Sequence, residues 1–336
     1  MINPVIYTFH IFGREFPLRW YGVIVMIGVI AASLVIEREL NRRGEKGERI
    51  WDILVWVLPA GIIGARLWYV TNATIGGNRY YIENPLQIIN IPQGGLHIFG
   101  GFIFGAAVLL TYLRQNRRDP WIYLDAAGPA ILIGQAIGRI ANFINQELYG
   151  PPTTLPWGIP ISAEHRLPMF PVDLYPVATT RFHPTFAYEI IWNLCAAGLL
   201  LWISRRYKDQ VKPGTIFAGW LVAAGLGRFW IEFFRPDQPK IAGFGLSYSA
   251  VVSALMLVIG FIMLLVRYQK IHLKFAENWE EHYRTDETPL QQPAEKVEEI
   301  NKPAKKESLI QQRAKAKIAA REAKKHSAGT TGENKS

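Results

Sequence analysis

Apolar residues gather along this chain into seven stretches, at about 20–37, 51–72, 96–113, 121–141, 185–204, 214–234 and 247–267. Each is hydrophobic on every face rather than along one stripe, which predicts helices surrounded by lipid and not amphipathic helices on a soluble core. A bilayer core needs roughly 20 mainly apolar residues per helix. Short polar connections separate the stretches, apart from one long connection at 142–184. After about residue 267 the pattern stops, and Lys, Glu, Ala, Gln and Arg take over. The expected architecture is all-α: a polytopic integral membrane protein with seven transmembrane helices over 1–267, and an external loop or cap at 142–184. A charged tail, partly helical or disordered, follows over 268–336, beginning as a helical continuation. Within it, 302–326 reads either as a basic amphipathic helix on anionic lipid or as a solvated end.

Charge adds an orientation. The chain is 50% hydrophobic and 19% charged, with a net charge of +10. The location of the cations explains that excess without nucleic acid. The first connection carries Arg38, Arg42, Arg43, Lys46 and Arg49, the third Arg114, Arg117 and Arg118, and the fifth Arg205, Arg206, Lys208 and Lys212. The second carries only Arg79, and the tail holds fifteen. Positive loops stay cytoplasmic, so the expectation is N-terminus outside and C-terminus cytoplasmic. No removable signal peptide is expected at the start, which lacks a basic region leading directly into an apolar core. The single cysteine, Cys195, cannot form an intrachain disulfide, and its apolar helical context reads as buried filler. No Cys/His cluster suggests a metal, and no cofactor is expected.

Polar residues inside the apolar stretches carry the candidate chemistry. The densest set is "GRIANFINQELYG", Gly138 to Gly150, at the outer end of the fourth stretch. Arg139, Asn142 and either Asn145 or Gln146 fall on one helical face if the helix continues, and Glu147 reaches Arg139 only if the chain bends. Arg66 lies deep in the second stretch. Arg228 and Glu232 are four apart in the sixth, with Arg235 three further on, Glu189 starts the fifth, and Asp125 lies near the inner start of the fourth. Ions in a membrane are expensive and usually face one another or a cavity. Arg139, Arg228 and Arg66 are therefore candidates to converge on an anion such as a lipid phosphate, which the guanidinium fork matches. Glutamates balancing the same charges, in a packing network, are the plain alternative. His97, before the glycine-rich third stretch, is a candidate proton acceptor or simply a hydrogen bonder. Tyr21 reads as an interfacial anchor.

The stretch 138–150 fits the signature of the bacterial prolipoprotein diacylglyceryl transferase family, G-R-x-x-N-F-x-N-x-E-x-x-G, at every fixed position. "RWYG" (19–22), "GARLWYV" (64–70), "QGGLHIFGG" (93–101), "HPTFAYE" (183–189) and "GRFWIEFFRPD" (227–237) resemble the family in the same order. The resemblance implies a seven-span, multi-pass enzyme of the bacterial cell (inner) membrane, needing no metal or organic cofactor. Its activity would move the diacylglyceryl group of phosphatidylglycerol onto the lipobox cysteine of a prolipoprotein, forming a thioether and releasing glycerol phosphate. Partners would be phosphatidylglycerol, prolipoprotein signal peptides and membrane lipids, with no nucleic acid. Carried over by position, Tyr21, Arg139, Asn142, Glu147, Gly150 and Arg228 look like the important residues. Glu189, Glu232, Arg66 and Asn145 resemble supporting positions, and Arg235 is a candidate substrate contact. Two positions depart from the pattern. Phe99 stands where the family often has histidine, with His97 two residues earlier and on another face if helical. Ala224 stands where it often has tyrosine. A non-enzymatic phospholipid-binding or lipid-transport protein, or a diverged paralogue, would share most of these features.

Overall fold

The computed structural model describes residues 3–11, 13–91, 94–235, 238, 241, 245–273, 282–284, 314 and 316–321. An antiparallel hairpin, β1 (Val5–Ile11) and β2 (Arg14–Arg19), opens the chain. Then come α1 (Trp20–Arg42), α2 (Arg49–Ile75), the one-turn α3 (Tyr80–Glu83), α4 (Ile98–Gln115), α5 (Pro120–Ile144), α6 (Thr185–Arg206), α7 (Thr215–Ile231) and α8 (Tyr248–Arg267). Between α5 and α6 lie two short paired strands, β3 (Pro152–Thr153) and β4 (Arg181–Phe182). Seven helices among the described residues are long and apolar enough to cross a membrane, so the protein is an all-α polytopic membrane protein. The chain forms two compact units, Met1–Asp286 and Glu287–Ser336. In the second, the described residues 314 and 316–321 are helical.

The long α5 is the centre of the bundle. It packs against α1, α6 and α7, while α2 pairs with α4 and α7 with α8. Lipid offers no hydrophobic drive between helices, so close packing of small residues has to supply it. The α2–α4 contact shows this: a Cβ on Gly100 would collide with the Gly64 carbonyl.

Charge pairing extends the helices past the expected apolar limits. α1 runs on to Arg42 because the buried Glu39 carboxylate sits among Arg42 (2.8 Å), Arg43 (3.0 Å) and Arg205 (2.9 Å). Arg118 approaches Glu45 at 3.7 Å. These pairs bring the first, third and fifth connections to one end of the bundle. The segment 282–284 returns to the same end: Tyr283 Oη donates to Asp125 Oδ2 (2.6 Å) and the Arg284 amide to Asp119 Oδ2 (3.0 Å). Burial, followed by the Asp125 charge, pushes the Tyr283 hydroxyl well above its usual pKa.

The tail does not begin as a continuation of α8. The helix stops at Arg267 in a Schellman turn: Gln269 takes a left-handed φ of 56°, its amide bonds to the Val266 carbonyl (3.0 Å), and the Lys270 amide bonds to that of Leu265 (2.8 Å). Cys195 is also not buried filler. It lies exposed on the outer surface of α6, where an apolar side chain is matched by lipid.

Candidate active site

The polar motif at the end of α5 is shaped by the way that helix stops. Asn145 caps it, and Gln146 follows with a left-handed φ of 51°. The Gln146 amide bonds to Phe143 O (3.2 Å) and the Glu147 amide to Asn142 O (3.1 Å), a Schellman turn without the usual glycine. A non-glycine residue there is strained by about 1–2 kcal/mol. The Gln146 side chain ties this turn outward, its Oε1 accepting the Ser162 amide at 2.8 Å. The polar stripe therefore does not continue as a helix, and the bend folds Glu147 back. Glu147 Oε1 accepts from Asn142 Nδ2 (2.8 Å) and Asn145 Nδ2 (3.2 Å), and Asn142 Oδ1 accepts from Arg139 Nη1 (3.1 Å). Arg139, Asn142, Asn145 and Glu147 form one connected set.

Three further helices complete it. Glu189, buried in the first turn and a half of α6, stands between the two arginines. It forms a close ion pair with Arg139 Nη2 and lies 3.5 Å from Arg228 Nη1. Arg228, near the end of α7, has Glu232 at 3.5 Å from Nη2. Its Nε donates to Ser249 Oγ of α8 at 2.7 Å. Arg228 Nη1 and Glu232 Oε2 are both buried with no hydrogen-bond partner among the described residues. Arg139 and Arg228 thus share one carboxylate, and the Nη edge of Arg228 keeps unspent donor capacity. Ser249 escaped the sequence reading. The available signal was the serine run Ser247, Ser249 and Ser253 in an otherwise strongly apolar helix.

Beyond the turn, the segment to Thr185 forms a small cap with its own core of Tyr149, Ile161, Phe170 and Phe182. Tyr149 Oη accepts the Leu167 amide (2.6 Å) and donates to the His165 carbonyl (3.1 Å). Gly150 is the joint between cap and helices. Its amide bonds to His183 O (2.8 Å), and a Cβ there would lie 2.9 Å from both His183 Cβ and Phe234 O. His183 Nδ1 lies 3.0 Å from Tyr188 Oη, and burial holds the imidazole below its ordinary pKa.

Of the other expected residues, Arg235 lies within electrostatic range of Arg228, and the rest have surroundings of their own. Arg66 does not converge with Arg139 and Arg228. Its guanidinium donates to the carbonyls of Gln87, Ile88 (2.8 Å), Gly94 (2.7 Å) and Gly95 (3.0 Å), so it staples the loop before α4. Backbone carbonyls supply the compensation that its own helix could not. His97 is not on another helical face from Phe99. It precedes α4 in an extended conformation, and the two rings lie 5.3 Å apart. Its Nδ1 is buried and has no hydrogen-bond partner among the described residues. Tyr21 is exposed at the start of α1, and Arg235 is buried just beyond α7. Ala224 packs in the apolar cluster formed by α5, α6 and α7.

The family model for prolipoprotein diacylglyceryl transferase matches residues 7–266, the hairpin and all seven helices. The chain belongs to that family. Among curated relatives, the phosphatidylglycerol–prolipoprotein diacylglyceryl transferase of Chloroflexus aggregans is 36% identical over 264 residues, covering 76% of this chain and 85% of the relative. The enzyme of the same name from Enterococcus faecalis is 36% identical over 268 residues (80% and 92%), and that from Leifsonia xyli subsp. xyli 36% over 260 (76% of each). Diacylglyceryl transferase membership makes this chain a membrane-embedded enzyme of lipoprotein biosynthesis in the bacterial cell membrane. It also gives the two departures a setting: the family member at hand carries Phe99 beside His97, and Ala224 in the apolar wall below Arg228.

Proposed function

We propose that this diacylglyceryl transferase moves the diacylglyceryl group of phosphatidylglycerol onto the lipobox cysteine of a prolipoprotein. The observation that carries this reading is the under-bonded Nη edge of Arg228, one carboxylate away from Arg139. Two guanidinium groups at that spacing offer a phosphodiester charged hydrogen bonds from two sides. In the reaction, the cysteine sulfur bonds to the terminal glycerol carbon as the carbon–oxygen bond to phosphate breaks. The electron pair leaves with oxygen, and glycerol phosphate departs as a phosphomonoester. Arg139 and Arg228 stabilise the charge that grows on that leaving group.

The thiol has to lose its proton to become the nucleophile. Glu147 is the acceptor in this reading. Its Oε1 is held by two side-chain amides, which aims the carboxylate while Oε2 has no hydrogen-bond partner among the described residues. Asn142 links this acceptor to Arg139, so thiol and phosphate are oriented by one network. Glu189 and Glu232 hold the arginines apart and aimed. Gly150 sets the cap over the cleft, while Arg66, His97, Tyr21 and Arg235 shape the lipid entry around it. The cation-rich end of the bundle faces the cytoplasm, which puts this network at the outer leaflet, where exported prolipoproteins are reached.

Purified protein incubated with phosphatidylglycerol and a lipobox peptide should add one diacylglyceryl group to the peptide cysteine and release glycerol phosphate, both read by mass spectrometry. Lipid binding with no peptide mass gain would instead support a binding or transport protein.

A further inference from the structure

The N-terminal hairpin is a two-faced sheet whose apolar face is exposed among the described residues. Its register pairs Tyr7 with Leu18, Thr8 with Pro17 and His10 with Glu15, with an irregularity between Val5 and Tyr7. Cross-strand partners share a face and neighbours alternate. Tyr7, Leu18 and Phe9 therefore lie on one side, and Thr8, Pro17, His10 and Glu15 on the other. The apolar side chains are 60%, 40% and 45% exposed, and the Tyr7 and Phe9 rings meet edge to face at 4.8 Å. An isolated two-stranded hairpin is marginal in water, and an apolar face this open needs a cover.

The position of the hairpin says what that cover is. β2 ends at Arg19 and α1 starts at Trp20 with no linker, and the Trp20 amide bonds to the Pro4 carbonyl. The hairpin is therefore fixed at the membrane boundary of the first span. Directly after it in the chain, Tyr21, Val25 and Met26 of the first apolar span are exposed as well. Aromatic side chains with an adjacent arginine are the composition of a membrane–water interface.

We propose that the hairpin is an interfacial membrane-binding element. It lies along the phospholipid surface at the active-site end of the bundle, with Tyr7, Phe9 and Leu18 in the acyl–headgroup boundary and Thr8, His10 and Glu15 toward water. This anchors the first helix beside the cleft and gives the leaflet a fixed apolar ledge there. It rests on the seven-helix fold and not on the reaction.

The test places an environment-sensitive fluorophore at single cysteines. Tyr7, Thr8, Phe9 and His10 are each replaced by Cys in a Cys195→Ser background, in full-length protein in phosphatidylglycerol/phosphatidylcholine vesicles. Labels at 7 and 9 should be quenched by spin-labelled lipid and shielded from aqueous iodide, and labels at 8 and 10 should show the reverse, with several-fold differences. Equal iodide access at all four positions would overturn the proposal. Shielding at 7 and 9 without quenching by lipid would also overturn it, by showing a protein cover. Amide exchange of the unlabelled parent guards against label artefacts. Residues 5–19 should exchange markedly faster in a Tyr7→Ser/Phe9→Ser variant than in the parent in the same vesicles. Equal rates would count against lipid contact.

Discussion

At the scale of single residues, the arginines are separable by what else they touch. Arg139 is bound to Asn142 and Glu189, whereas Arg228 has one well-formed hydrogen bond, to Ser249. Arg139→Ala and Arg228→Ala should each reduce the transfer rate per folded molecule by about 10²–10³, the cost of one charge-stabilising contact of roughly 3–4 kcal/mol. A rate within threefold of the parent for either variant would remove that arginine from the mechanism. Ser249→Ala should act less severely, through Arg228. A hydrogen bond to a charged group is worth about 1.5–3 kcal/mol, so transfer should fall by roughly tenfold or more, and Ser249→Thr should recover most of it. His183 gives the pH dependence. Its folded pKa lies below the unfolded value because burial disfavours the imidazolium. Below an unfolded pKa of about 6.5 the unfolded chain binds more protons, so the contribution of His183 to stability is complete above that pH and is lost as pH falls through the folded pKa. Denaturation midpoints of the parent should drop over that window more steeply than those of His183→Gln.

At the scale of elements, the helix ends decide more than the helix bodies. The bend after α5 converts a helical stripe into a closed network, and Gly150, six residues past the end of the helix, seats the cap. Gly150→Ala would force a methyl group against His183 and Phe234 O. Such overpacking costs typically about 1–3 kcal/mol. The variant should keep its helical content by circular dichroism while the cap becomes susceptible to limited proteolysis between 150 and 183. An unchanged digestion pattern would mean that the joint can relax.

At the scale of the whole molecule, Glu39 and Glu45 gather arginines from three connections at one end, and the carboxylates and arginines of the candidate site occupy the other. Membrane crossing gives that polarity a direction. In a Cys195→Ser background, cysteines placed at 44 or 47 should be shielded from an impermeant thiol reagent in intact cells, while cysteines at 155 or 157 should react. The reverse pattern would invert the topology. Segment 282–284 ties α1 to α5 at the arginine-rich end. Tyr283→Phe removes its hydrogen bond to the fully buried Asp125 and should lower the thermal midpoint in detergent without changing transfer at 25 °C.

The sequence by itself determined the number of spans, because lipid demands long apolar runs and tolerates few alternatives. It also determined the family, since six short blocks in order name the polar residues that a membrane protein does not otherwise keep. The hairpin went unread although "VIYTFHI" and "REFPLR" flank Gly13 at a turn, because short aromatic strands beside a membrane helix resemble its interfacial flank. Only the tertiary structure decided which polar residues meet. Arg66 and Arg139 are both arginines inside apolar stretches. One is held by loop carbonyls brought from residues 87–95, and the other by a carboxylate from α6 and by Asn142 of its own helix, which the following turn links to Glu147. That choice depends on distances between helices and on one left-handed residue, Gln146, and neither has a signature in hydrophobic pattern.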